Sequence, residues 1–129
     1  MAMIEVSAKI LEKLADRLNE LDVKARTHYK KDFQVNTICL DLESDIAGLA
    51  YPEEPLIRLN PVYLVENTEE FLHDTVAHEY AHRIAYELYG PKISEHGLEW
   101  KGVMAVFGVK PNVTSSYDDK TIRKHLRAA

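Results

Sequence analysis

Thr75-Val-Ala-His78-Glu79-Tyr80-Ala81-His82-Arg-Ile84-Ala-Tyr-Glu-Leu88-Tyr89, stopped by Gly90-Pro91, is the stretch on which the reading of this chain turns. The apolar positions Ala77, Ala81, Ile84 and Leu88 recur at helical spacing, and Gly followed by Pro is a strong helix stop. His78 and His82 are four residues apart, so a helix stacks them on one face. Two imidazoles so placed can share one zinc ion. Glu79 lies one step round the helix, where it can take a proton from a water on the metal, whose pKa zinc lowers to about 7. Small Ala77 and Ala81 let the helix press closely on the sheet. Upstream, Asn67 or Thr68 can cap the helix, and Glu69 and Glu70 complement its dipole.

A catalytic zinc normally has three protein ligands and an open position. His96, just past the Gly90-Pro91 reversal and at the start of the next helix, is the favoured third ligand, and Gly97 beside it leaves the metal uncrowded. Its rivals are Glu95, Glu99 and Glu87, of which Glu87 points away. His28 and His125 sit among charged residues and read as surface groups. His73 faces away from His78. Asp74, four residues before His78, either accepts a hydrogen bond from a ligand imidazole or only complements the helix dipole, the commoner case. Trp100 reads as a core anchor rather than a substrate contact.

Outward from the helix, Ile10, Leu11, Leu14, Leu18 and Leu21 mark an amphipathic opening helix within Val6–Val23. Three short apolar runs follow, around Val35–Leu40, Ile46–Tyr51 and Leu56–Asn60. They predict a small, mainly antiparallel sheet, with Pro61 marking a strand end or an edge. Ser94 offers an N-cap, the helix after it closes at Gly108, and a last short helix falls within Asp118–Leu126. Helix, strands, then helices is the order of an α+β fold.

The 129 residues suit one domain, residues 1–129, able to bury a core without disulfides. Cys39 is the only cysteine, so no internal disulfide can form. No long apolar run predicts a membrane span, and Met1-Ala-Met-Ile-Glu-Val6 lacks the order of a secretory signal, so the expected location is cytoplasmic. A formal net charge of −5 is not a nucleic-acid footprint. The clusters Lys24, Arg26, Lys30, Lys31 and Lys120, Arg123, Lys124, Arg127 read as solvated helix faces.

Taken together the motifs resemble the SprT-like family, which includes bacterial SprT and the Spartan proteases. The resemblance rests on Ala47-Gly48-Leu49-Ala50, Ile57-Arg58-Leu59-Asn60-Pro61, the H-E-x-x-H helix, His96-Gly97-Leu98-Glu99-Trp100 and the Phe-Gly-Val that follows. It runs from about Leu40 to Tyr117. It implies a compact zincin-like fold, one zinc ion on His78, His82 and His96, Glu79 as general base, and peptide-bond hydrolysis. In Spartan-type members the implied substrates are proteins crosslinked to or bound on DNA. Two features depart from the pattern. The four-cysteine zinc ribbon of many members has no counterpart here, and Thr114-Ser115-Ser116-Tyr117-Asp118 carries serine where histidine is expected. Both weaken any transfer of DNA targeting.

The expected function is therefore a zinc metalloendopeptidase acting on protein or peptide, with substrate laid along the exposed edge of the sheet near Ile57–Asn60. Tyr117, Tyr89 and Arg58 are candidate oxyanion donors. Two other readings compete. One is a non-catalytic zinc-stabilised module that binds protein or nucleic acid, which would close the metal with a fourth side chain. The other is an amidase with a narrow pocket for small molecules. The motifs specify neither the oligomeric state nor the physiological substrate.

Overall fold

A computed structural model describes residues 4–128, with side chains described as far as Lys124. His125 and Arg127 therefore lie outside the described side chains. The chain runs α1 (Ala8–Tyr29), β1 (Thr37–Cys39), β2 (Gly48–Ala50), β3 (Leu56–Leu59), α2 (Pro61–Glu66), α3 (Thr68–Glu70), a π-helical turn (Phe71–Thr75), α4 (Val76–Tyr89), α5 (Leu98–Phe107) and α6 (Lys120–Ala128). The expected α+β architecture is what folds.

Ser7 caps α1, its hydroxyl accepting from the Ile10 amide, and the helix ends on Lys30 in the left-handed conformation. It runs six residues beyond Val23, so the basic cluster lies on its last turns, where Lys24 meets Glu20 and Arg26 meets Asp22. Leu14, Leu21 and Ala25 face inward against α4 and α5. Trp100 is fully buried among them; removing its side chain from water is worth about 4–6 kcal/mol. No helix of the described residues is long and apolar enough to cross a membrane.

The sheet corrects the expected pairing. Its order is β1-β3-β2; β2 and β3 are antiparallel, but β1 and β3 are parallel. β3 is thus the central strand, and β2 is an edge. The exposed edge expected near Ile57–Asn60 therefore lies elsewhere: β3 alternates, with Ile57 and Leu59 buried and Arg58 partly exposed, but it is paired on both sides. Alternation reports which face is covered and says nothing about which edge is paired. Pro61 belongs to no edge: it is the first residue of α2, capped by the Asn60 side chain accepting from the Val62 amide.

The π turn is the second departure. Phe71 accepts from the Val76 amide, five residues on. Phe71 and Val76, and Leu72 and Ala77, are all buried at that spacing of five. A continuous α-helix would instead bring polar His73 into line with Ala77. The extra residue keeps both apolar sets in the core and leaves His73 exposed. Arg17 of α1 covers the disturbed backbone, with Nε donating to the Leu72 carbonyl and Nη2 to that of His73, each at 2.9 Å.

Candidate metal centre

α4 projects His78 and His82 from one face, as their spacing predicts. The connection from Gly90 to Gly97 folds back and delivers His96 from a turn ahead of α5, which begins at Leu98. Ser94 is not the helix cap; its carbonyl accepts from the Gly97 amide and closes that turn. A side chain at Gly97 would meet Ser94 and Glu99, so the turn, not the metal, requires glycine there.

The three imidazoles converge. Nε2 of His78 lies 3.2 Å from Nε2 of His82 and 3.3 Å from Nε2 of His96. With metal–nitrogen bonds of about 2.0–2.1 Å, the edge of a tetrahedral site is about 3.3–3.4 Å. The donor set therefore fits a divalent ion. His78 Nδ1 faces the Asn112 carbonyl at 3.1 Å and donates to it, which leaves the Nε2 lone pair directed at the centre. Asp74, weighed as that acceptor, instead pairs with His73 at 2.6 Å. Burial lowers the His78 pKa, and burial together with His78 and His96 lowers that of His82 to about 3. Both rings are thus neutral and ready to ligate at neutral pH.

Trp100 underlies all three rings, with centroids 4.8 Å from His78 and His96 and 5.4 Å from His82, and its indole N–H donates to the His78 carbonyl at 3.1 Å. It is the core anchor expected, and it also fixes the plane on which the ligands stand. Among the described residues the triad is the only grouping of histidine, cysteine or carboxylate side chains that could hold a metal ion. The rivals Glu95 and Glu99 fall outside it, and Glu87 is ion-paired with Arg83 at 3.3 Å.

Glu79 lies beside the triad, one carboxylate oxygen 3.9 Å from His78 Nε2. It is buried between α4 and the β2 edge. Burial raises its pKa to about 8, Ala50's backbone N–H pulls it down, and the Glu95 charge pushes it up. Gly48 makes this packing feasible, since a Cβ there would sit 2.8 Å from Glu79 Cγ. The Gly in Ala47-Gly48-Leu49-Ala50 is thus explained by close approach rather than by its own torsions.

The centre opens into a cleft of about 870 Å³. One wall is β2 with its flanks and another is the Asn112–Tyr117 segment. Of the three candidate oxyanion donors, only Tyr117 lines it, its hydroxyl 2.7 Å from that of Thr75. Arg58 is turned to Asp41 and Tyr51, and Tyr89 is exposed outside the cleft. The Asn112 carbonyl, Gly48 and Arg83 were not singled out from sequence for their roles here. Only the Ala-Gly motif hinted at one of them.

An H-E-x-x-H helix completed by a third histidine, on a small α+β scaffold, defines a small zincin-like domain with three histidines placed so that they could hold a metal ion. The SprT-like family model matches residues 11–119. Proteins called Protein SprT are similar over most of the chain. That of Pseudomonas fluorescens is 41% identical over 110 residues, covering 84% of this chain and 67% of the relative. That of Vibrio parahaemolyticus is 35% identical over 121 residues, 93% of this chain and 70% of the relative. One from Pseudomonas aeruginosa is 38% identical over 107 residues, 82% and 65% respectively. The chain belongs to the SprT-like family. No solved structure gives a significant match. Family and triad together support a metal-dependent, SprT-type function.

Proposed function

We propose that this protein is a zinc-dependent endopeptidase, with His78, His82 and His96 holding the ion and Glu79 acting as general base. One observation carries the reading: a carboxylate buried against an open cleft lies 3.9 Å from a ligand nitrogen of a convergent histidine triad. A structural metal site has no use for that carboxylate and would be closed by a fourth side chain. A bound zinc ion supplies Lewis acidity toward the scissile carbonyl and makes water a nucleophile near neutral pH. Glu79 takes the proton of that water and returns it to the leaving amine. A metal ion beside it favours the carboxylate form, the form that accepts the proton, and the packing of Glu79 against Gly48 keeps the carboxylate in place.

The edge strand suggests how substrate is held. Toward β3, the Ala47 carbonyl accepts from the amide of Asn60, just past the strand, and the Tyr51 amide donates to Leu56. By alternation, the backbone groups of Gly48 and Ala50 point away from the sheet; the Ala50 amide faces Glu79, which leaves the Gly48 amide and the Gly48 and Ala50 carbonyls for pairing. An extended polypeptide can pair there with little regard to its sequence. This moves the substrate-binding edge from Ile57–Asn60 to β2. Such an edge also favours a polypeptide over the small substrate of a narrow-pocket amidase. Among the described residues the cleft is lined by Asp45, Glu53, Glu70, Asp74, Glu79 and Glu95 and by no Lys or Arg. That lining suits a polypeptide and repels phosphate, so any DNA association belongs on another face.

The test is metal analysis of purified protein with casein and self-cleavage assays, with and without single-stranded DNA. Glu79→Gln should keep zinc and lose turnover. Full activity in that variant refutes the mechanism, and a metal-replete wild type that cleaves nothing favours a binding module.

A further inference from the structure

Arg83 follows the second ligand histidine, and only 1% of it is exposed. A guanidinium carries five N–H donors, and Arg83 has an acceptor for each. Nε donates to Asn36 Oδ1 at 2.9 Å, Nη1 to the carbonyls of Tyr51 at 3.3 Å and Pro52 at 2.8 Å, and Nη2 to Gln34 Oε1 at 3.0 Å and Glu87 Oε2 at 3.3 Å. Glu87 balances the charge, and the Tyr86 ring lies 5.8 Å from the guanidinium carbon. A salt bridge alone would need one of these partners. Two of the remaining bonds go to the end of the edge strand.

Glu79 and Arg83 are four residues apart, so they project from one face of α4. Both reach the same strand. Glu79 packs against Gly48 with its carboxylate facing the Ala50 amide, and further along Arg83 donates to the Tyr51 carbonyl and then to that of Pro52. The metal helix and the edge are joined at adjacent points by groups of opposite polarity. Sliding β2 along α4 would disturb both contacts, and Gly48 lies so close to Glu79 that no Cβ fits between them.

We propose that Arg83 is a positioning residue: it fixes the height of the β2 edge over the metal helix, and so sets both where a substrate strand pairs and where the Glu79 carboxylate points. This rests on the peptidase reading for its consequence in turnover, but the strut itself is a property of the free protein. Lysine keeps the charge opposite Glu87 but has no planar fork with which to hold two successive carbonyls.

The experiment compares Arg83→Lys with Glu87→Gln, which weakens the same network but leaves the strand contacts. Amide hydrogen exchange is read at Gly48 and Ala50, together with zinc affinity, kcat and KM. In wild type the Ala50 amide should be protected although it faces away from β3, and Gly48's should exchange freely. In Arg83→Lys, exchange at Ala50 should quicken at least about tenfold and kcat should fall about 10- to 100-fold, as for a misplaced catalytic group. Zinc affinity should change less than about threefold, and Glu87→Gln should show neither change at equal stability. Wild-type exchange at Ala50 as fast as at Gly48 overturns the strut, even if Arg83→Lys fails to fold. Matching losses in the two variants at matched stability overturn the positioning role. If wild type cleaves no peptide while the exchange pattern holds, the peptidase reading fails and the strut stands.

Discussion

Gly48→Ala isolates the packing of Glu79, the general base of the proposed peptidase. Gly48 has no left-handed torsion, so alanine introduces no backbone strain, and in a strand it would by itself be neutral or mildly stabilising. The added Cβ lies 2.8 Å from Glu79 Cγ, 3.2 Å from Cδ and 3.1 Å from Oε2, whereas ordinary contact begins at 3.4 Å. Cγ must therefore move by about 0.6 Å, and it is too near the helix backbone to swing aside freely. Either the carboxylate leaves the Ala50 amide or the strand backs away from α4. A catalytic group displaced by about 1 Å costs on the order of 100-fold, so kcat should fall about 10- to 100-fold while all three ligand histidines keep their metal. Stability should fall by about 1–3 kcal/mol, as for other overpacked sites. The assay is casein turnover normalised to bound zinc, with chemical denaturation of Gly48→Ala, Glu79→Ala and the double variant. Removing Cγ removes the clash, so the double variant should be no less stable than Glu79→Ala. Wild-type turnover in Gly48→Ala, or strictly additive stability losses, would refute the reasoning.

Metal binding should release a proton from Glu79. Its pKa near 8 leaves it about nine-tenths protonated at pH 7 without metal, and a nearby dication favours the charged form. Calorimetry in buffers of different ionisation enthalpy should find close to one proton fewer released by Glu79→Gln than by wild type at pH 7, with the difference vanishing above about pH 9. Arg17→Met should cost about 1–3 kcal/mol, because the Leu72 and His73 carbonyls of the π turn lose their donors; an unchanged urea midpoint would show that water replaces the guanidinium at no cost.

Much of the site could be read from residue spacing, because helical geometry is local. An i, i+4 pair must share a face, so His78 and His82 needed no tertiary information, and the short connection after Gly90-Pro91 kept His96 within reach. The π turn left a trace in the burial spacing of Phe71 with Val76 and of Leu72 with Ala77, but a periodicity of four passes over a step of five. The short helix α2 was hidden behind Asn60-Pro61, which reads equally as a strand end and as a helix cap followed by proline.

The sequence by itself determined the metal-binding helix, the third histidine, the carboxylate beside them and the family. Each depends on residue type at fixed local separation. Only the tertiary structure decided that β3 is central and β2 the edge, because strand pairing is a choice among distant partners that burial alternation does not encode. It also decided that the Asn112 carbonyl rather than Asp74 orients His78, since a backbone acceptor 34 residues away carries no side-chain signature. The placing of Gly48 and Arg83 against the edge was settled at the same level. There, two elements distant in sequence meet at van der Waals distance, and the chemistry depends on tenths of an ångström.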